Sequence, residues 1–136
     1  MKKHLLAAII SSVVLVVLSY AALLLLPLLF PKLAEEYFNP TFRAAGGTQD
    51  LLYFLHPVVL SFALAWFWNK FKDQFRGGSF IRGAELGLVY GLIAILPAMI
   101  INYSVLNISL PMALVWLVYG VIQGVIAGNI FSRIDP

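Results

Sequence analysis

No charged residue interrupts the chain from Leu5 to Phe30, and three more apolar stretches follow at Leu51–Trp68, Gly83–Tyr103 and Leu110–Phe131. About 20 mostly apolar residues let a helix cross the hydrocarbon core of a bilayer. Each stretch therefore predicts one transmembrane helix. The polar breaks read "PKLAEEYFNPTFRAAGGTQD", "NKFKDQFRGGSFIR" and the short "YSVLNIS", and the first two hold nearly all the remaining charge. The expected fold is an all-α bundle of four transmembrane helices in a single integral membrane domain over residues 1–136. Its helices lie at about 5–30, 51–69, 81–103 and 110–132, with a loop at 31–50.

Composition supports a lipid environment. The 136 residues are 62% hydrophobic and 11% charged, where a soluble domain carries about 25% charged residues. So few polar residues could not cover a water-facing surface. A net charge of +3 would suggest nucleic acid in a soluble protein, but here the basic residues flank apolar runs and point to membrane orientation instead. No nucleic-acid partner is expected. With no cysteine, disulfides, thiolate metal sites and cysteine nucleophiles are excluded.

With the N-terminus in the cytoplasm, Lys2, Lys3, Lys70, Lys72, Arg76, Arg82 and Arg133 fall inside, and only Lys32 and Arg43 fall outside. That bias predicts both termini in the cytoplasm of a multi-pass cell-membrane protein. A cleaved signal peptide is the rival reading of the first run, with Lys2 and Lys3 as its basic region and Ser19-Tyr20-Ala21 as a cleavage site. The apolar run far exceeds the roughly 7–15 residues of a signal core, which favours a retained helix. The 31–50 loop is long enough for a short interfacial helix with Tyr37 and Phe38 at headgroup level. Asn102-Tyr103-Ser104 and Asn107-Ile108-Ser109 match the glycosylation pattern, but a loop this short leaves them against the membrane, so they read as chance matches.

Glycine recurs every fourth position in two runs, Gly83-Gly87-Gly91 and Gly120-Gly124-Gly128. With Ala94 and Ala98, the first row spans about 80° of one helix face. Ala113 and Ala127 extend the second row. Small residues at this spacing let membrane helices approach backbone to backbone. The third and fourth helices should thus form a glycine-lined antiparallel hairpin. Counting from a turn near residues 104–109 puts Gly87 level with Gly128 and Gly91 level with Gly124.

Polar groups within the spans are candidates for function. Glu85, the one acid inside a span, lies about 4–5 Å inward of Arg82; it either pairs with Arg82 at the interface or binds a proton or cation. His56 precedes Pro57, which leaves the Tyr53 carbonyl without its helical donor. It either caps such a carbonyl or bonds a neighbouring helix, or else forms a ligand or proton site. Gln123 lies at nearly the depth of Tyr90, and an interhelical hydrogen bond between them is expected. Asn129, about 6 Å from Arg133, can satisfy itself near the headgroups, and Ser11, Ser12 and Ser19 can bond back to their own helix. Trp66, Trp68, Tyr20 and Tyr103 read as belt or packing aromatics. No nucleophile–base pair, phosphate loop, CxxC or HExxH occurs, so no metal, cofactor or catalytic site is expected.

The stretch "GAELGLVYGLIAILPAMIINYSVLNISLPMALVWLVYGVIQGVIAG" resembles small prokaryotic four-span proteins of unknown function. These share a glycine-spaced third helix, a P…INY exit and a proline-led fourth helix with tryptophan. The resemblance implies a topology and no activity. Small multidrug-resistance transporters, fluoride channels and membrane glutathione enzymes fit poorly, because their motif residues are missing here.

Two functional readings follow. One is a non-enzymatic accessory or packing component, partnered by the bilayer and by a second copy or another membrane protein. The alternative is a small transporter or channel using Glu85, His56, Tyr90 or Gln123. Pro27, Pro57 and Pro97 all fall in the half of the bundle nearest the 31–50 loop. Their kinks would open that half into a shallow pocket near His56, Pro57 and Pro97.

Overall fold

The computed structural model describes residues 2–136, which are helical with no strand. Four helices are long and apolar enough to cross a membrane. The first is α1 (Lys2–Leu29), followed by the short α2 (Pro31–Glu36). The second is α3 (Asp50–Phe71), extended by a 3₁₀ turn at Lys72–Gln74. The third span, Ser79–Val105, consists of α4 (Ser79–Tyr90), a π-helical turn (Gly91–Ile95) and α5 (Leu96–Val105). The fourth is α6 (Leu110–Ile134).

Local chemistry sets the breaks. Pro31 disfavours helical backbone at the residue before it, and Phe30 leaves the helix at φ −134°. Gly77 adopts φ +102°, a conformation open to glycine without strain, and turns the chain into α4. Ser109 caps α6 by accepting from the Met112 N–H, with Pro111 in the first turn where its missing donor is no loss. Pro97 likewise explains the π turn. It offers no N–H to the Ile93 carbonyl, and its ring would strike that carbonyl in a regular helix. The widened turn at Gly91–Ile95 moves the carbonyl aside.

α4 packs along α6, α6 along α1, and α1 along α3, which also reaches α6. The spans thus form an α1–α3–α6 triangle with Ser79–Val105 laid against the far side of α6. The main core lies at the basal end, where α1 begins and α6 finishes. There Leu15, Leu64, Trp68, Leu86, Ala127 and Phe131 are buried together. Toward the loop end the helices diverge: the last buried residue of α1 is Ser19, and α5 buries none. A second cluster of Ile108, Met112 and Ala113, covered by Leu33, Phe42 and Trp116, closes the top of α6. Large apolar side chains cover the outward faces of every span, as suits contact with lipid.

Candidate functional site: the buried polar seam and its two ends

Where α1, α3 and α6 meet, the packed interior carries a column of polar groups. Ser61 donates to Ser11 at 3.1 Å, linking α3 to α1. Ser19 and Tyr119 share a hydrogen bond of 2.9 Å between α1 and α6, and the Tyr53 hydroxyl donates to the Ser19 carbonyl at 3.0 Å. Ser12 bonds back to the Ala8 carbonyl. Both serine links set α1 antiparallel to α3 in one register, since Ser11–Ser61 and Ser19–Tyr53 keep the same spacing. Gln123 lies one turn from Tyr119 on α6 and is 1% exposed. Its Nε2 has no hydrogen-bond partner.

At the basal end, Asp135 gathers the ends of three spans. Its Oδ1 accepts from Lys72 Nζ at 2.8 Å, and its carbonyl accepts from Trp68 Nε1 at 2.8 Å. Its Oδ2 faces His4 Nδ1 at 3.8 Å. Lys72 Nζ also reaches the Pro136 carbonyl at 3.1 Å. Trp68 is stacked on Phe75 with ring centroids 5.4 Å apart, and the Arg82 guanidinium lies 4.8 Å from its ring centroid, within cation–π range. Arg82 meanwhile donates to the Lys72 carbonyl at 3.0 Å. Ser132 fastens α6 to α4 by donating to the Ser79 carbonyl.

At the loop end, residues 31–42 form a strap over the start of α6. Glu36 accepts from the Ser109 N–H at 3.1 Å and from its hydroxyl. A carboxylate is well placed there, since unpaired N–H groups and the helix dipole converge at a helix start. Trp116 Nε1 donates to the Tyr37 hydroxyl at 2.7 Å, and Phe42 packs edge-on against Trp116. Burial pushes the Tyr37 hydroxyl above the usual tyrosine range; the bond from Trp116 opposes that rise, and the nearby Glu36 charge adds to it.

The residues singled out in the sequence are not brought together. His56 is exposed on the outward face of α3, whereas its neighbour Pro57 is buried. Pro27 and Pro97 also face outward, so no pocket joins His56, Pro57 and Pro97. Two apolar grooves of about 310 Å³ each lie on either flank of α6. Leu88, Leu92, Leu96 and Val121 line one; Phe30, Leu114 and Tyr119 line the other. Glu85 is exposed and unpaired among the described residues, because Arg82 turns to Trp68 and Lys72. Gln123 does not bond Tyr90: its Nε2 is buried without a partner, and the Tyr90 ring lies against Gly124. Asn129 bonds back to the Val125 carbonyl at 2.8 Å.

Gly83, Gly87, Gly124 and Gly128 meet the backbone of the facing helix, and Gly91 and Gly120 meet side chains. A methyl group on Gly128 would come within 2.8 Å of the Gly83 Cα, and one on Gly124 within 2.9 Å of the Gly87 Cα. On Gly91 it would lie 2.6 Å from Val121, and on Gly120 2.9 Å from Ile95. Ala94, by contrast, is exposed. The register differs from a straight count by one turn, with Gly87 opposite Gly124 instead of Gly128. The π turn contributes to that slip, because its wider winding shortens the span between Gly87 and the turn.

The sequence reading gives no site role to the side chains of Asp135, Lys72, Glu36, Ser61, Tyr53 and Tyr119. The first three stand just outside the apolar runs, where charged residues read as solvated ends. The signal for Ser61 was available, as it lies 50 residues from Ser11 on an antiparallel neighbour. Comparison with known protein families, with characterised proteins and with solved structures finds no match to this chain.

Proposed function

We propose that the chain is a non-catalytic, multi-pass cell-membrane protein that serves as an accessory packing component. Its glycine rows form a close-packed antiparallel hairpin of the last two spans, and both termini lie in the cytoplasm. Its partners are the bilayer and further transmembrane helices, those of a second copy or of another membrane protein. One observation carries the reading. Ser11 with Ser61, and Ser19 with Tyr53 and Tyr119, hydrogen-bond across the α1–α3–α6 interface, while Gln123 Nε2 is buried there without a partner, and the grooves beside α6 are lined by apolar groups. A solute path needs polar groups converging on water. Here they tie helices together.

The basic bias supports the orientation, and the resemblance to small prokaryotic four-span proteins accords with the topology. The test is mass measurement on the protein extracted with its lipid, paired with solute and proton flux in reconstituted vesicles. An assembly larger than one chain, with flux no greater than in empty vesicles, is expected. Flux above that background, lost on Gln123→Leu, would overturn the reading in favour of a transporter.

A further inference from the structure

We infer that the outward face of the last two spans receives a second copy of this chain, fastened by Glu85 of one copy and Arg133 of the other. The inference rests on the packing role proposed above and names its partner and its face. Glu85 stands about 9 Å along the helix from Ser79, in an exposed stripe with Ile81, Leu88 and Leu92. Among the described residues it has no ion pair, because Arg82 is held by the Lys72 carbonyl and the Trp68 ring. A carboxylate facing hydrocarbon is costly, and such groups pair where they occur. Arg133 near the end of α6 is likewise exposed, with no ion pair among the described residues.

One chain does not join the two. Gly83 against Gly128 and Gly87 against Gly124 fix the register of α4 on α6. That register puts Glu85 level with Ile126, about 10 Å along the axis from Arg133. Glu85 is also about 200° around the helix from each of Gly83 and Gly87, so it points away from α6. Side chains on a helix lean toward its N-terminal end. Glu85 therefore leans toward the basal end and Arg133 away from it, which brings the two groups toward a common level.

The groove on this side has Leu88 and Leu96 on one rim and Val118 and Ile122 on the other. Glu85 continues the first rim one turn before Leu88. Arg133 lies three turns beyond Ile122, within about 20° of it, and continues the second. The surface thus carries an acid on one edge and a base on the other. Two copies related by a two-fold axis along the membrane normal set each Ser79–Val105 rim against the partner's α6 rim. Each Glu85 then meets the partner's Arg133, twice per dimer, and the apolar rims close over the grooves. An arrangement that paired like rims would oppose acid to acid, so the charges select this one. A different protein would have to bring both charges at the same spacing, whereas a second copy already carries them.

The test uses the full chain in phosphatidylcholine vesicles. Because the chain has no cysteine, one copy carries Leu88→Cys and a second, of different tag length, carries Ile122→Cys; these positions stand at nearly the same level. Oxidation should link the two kinds of copy to each other and leave either kind alone unlinked. Glu85→Arg and Arg133→Glu should each abolish the link and the dimer seen by mass, and the double variant should restore both. No link between the two kinds of copy, or a double variant no better than the single ones, would overturn the contact. Circular dichroism identifies any single variant that has lost its helices, and the cross-link in the otherwise unchanged chain then decides. Solute flux above background overturns the packing role; a chain that stays single without flux overturns only this contact.

Discussion

Gly124 lies directly over Gly87, so close that a methyl group on Gly124 would stand 2.9 Å from the Gly87 Cα and 2.9 Å from the Tyr90 ring. Backbone cannot yield as a side-chain tip can, so Gly124→Ala must push α4 and α6 apart. Overpacking of this kind costs about 1–3 kcal/mol, and Gly124→Leu more. Leu92, on the span of Gly87, is 65% exposed, and Leu92→Ala should change stability by less than about 0.5 kcal/mol. Reversible unfolding in detergent compares them. Equal losses for the two alanine variants would remove the case for a close-packed glycine seam.

The proposed orientation puts the loop around Arg76 in the cytoplasm. A membrane-impermeant thiol reagent applied to intact cells should leave a cysteine at Arg76 unlabelled and should label one at Phe38, which is 88% exposed at the loop end. Because the chain has no cysteine of its own, each labelling signal belongs to the introduced site. The reverse pattern would invert the topology.

The spans were legible because burial in lipid demands long uninterrupted apolar runs, which a sequence displays openly. What faces what was less so. In water, a polar stripe marks the outward face of a helix; in lipid, both faces are apolar and that periodic signal fades. His56 could therefore be read as lining a pocket with Pro57 and Pro97, whereas the structure leaves it exposed on α3. The slip of one turn between Gly87 and Gly128 has a different origin. A count along the chain assumes a constant rise and a turn centred midway between the helices; the π turn before Pro97 breaks the first assumption and takes up part of the slip. Asp135 escaped notice because its partners His4, Lys72 and Trp68 come together only when three separate spans are packed.

The loop-end strap should respond to mutation and to alkali. Glu36→Ala removes both acceptors from Ser109; hydrogen bonds to charged groups contribute about 1.5–3 kcal/mol when buried, and this half-exposed one less. Limited proteolysis between Phe38 and Gln49 should accelerate in the variant. Tyr37 holds its proton more tightly folded than unfolded, so its contribution is complete below the unfolded tyrosine value of about 10 and falls as pH rises through the higher folded value. Cleavage should therefore quicken on the alkaline side of about pH 10. Tyr37→Phe should lessen that pH dependence, and an unchanged profile would remove Tyr37 from the strap's titration.

Gln123 separates the packing role from transport. Its side chain is 1% exposed, and its Nε2 has no partner. Burying an amide nitrogen without an acceptor costs about 1–3 kcal/mol. In a protein whose interior polar groups serve only to hold helices together, Gln123→Leu relieves that penalty while nearly preserving side-chain volume. The variant should then be at least as stable as the parent, by up to about 1 kcal/mol allowing for imperfect fit. If a polar solute or a proton-carrying chain of water uses the amide, the same substitution removes a working contact. Stability and flux would then both fall. Tyr119→Phe serves as the control, since it removes a bond that is made, the one to Ser19. It should destabilise by about 0.6 kcal/mol, the average for a hydrogen bond between membrane helices. A Gln123→Leu variant less stable than Tyr119→Phe would count against the packing reading, because an unpartnered amide would have proved worth more than a partnered hydroxyl.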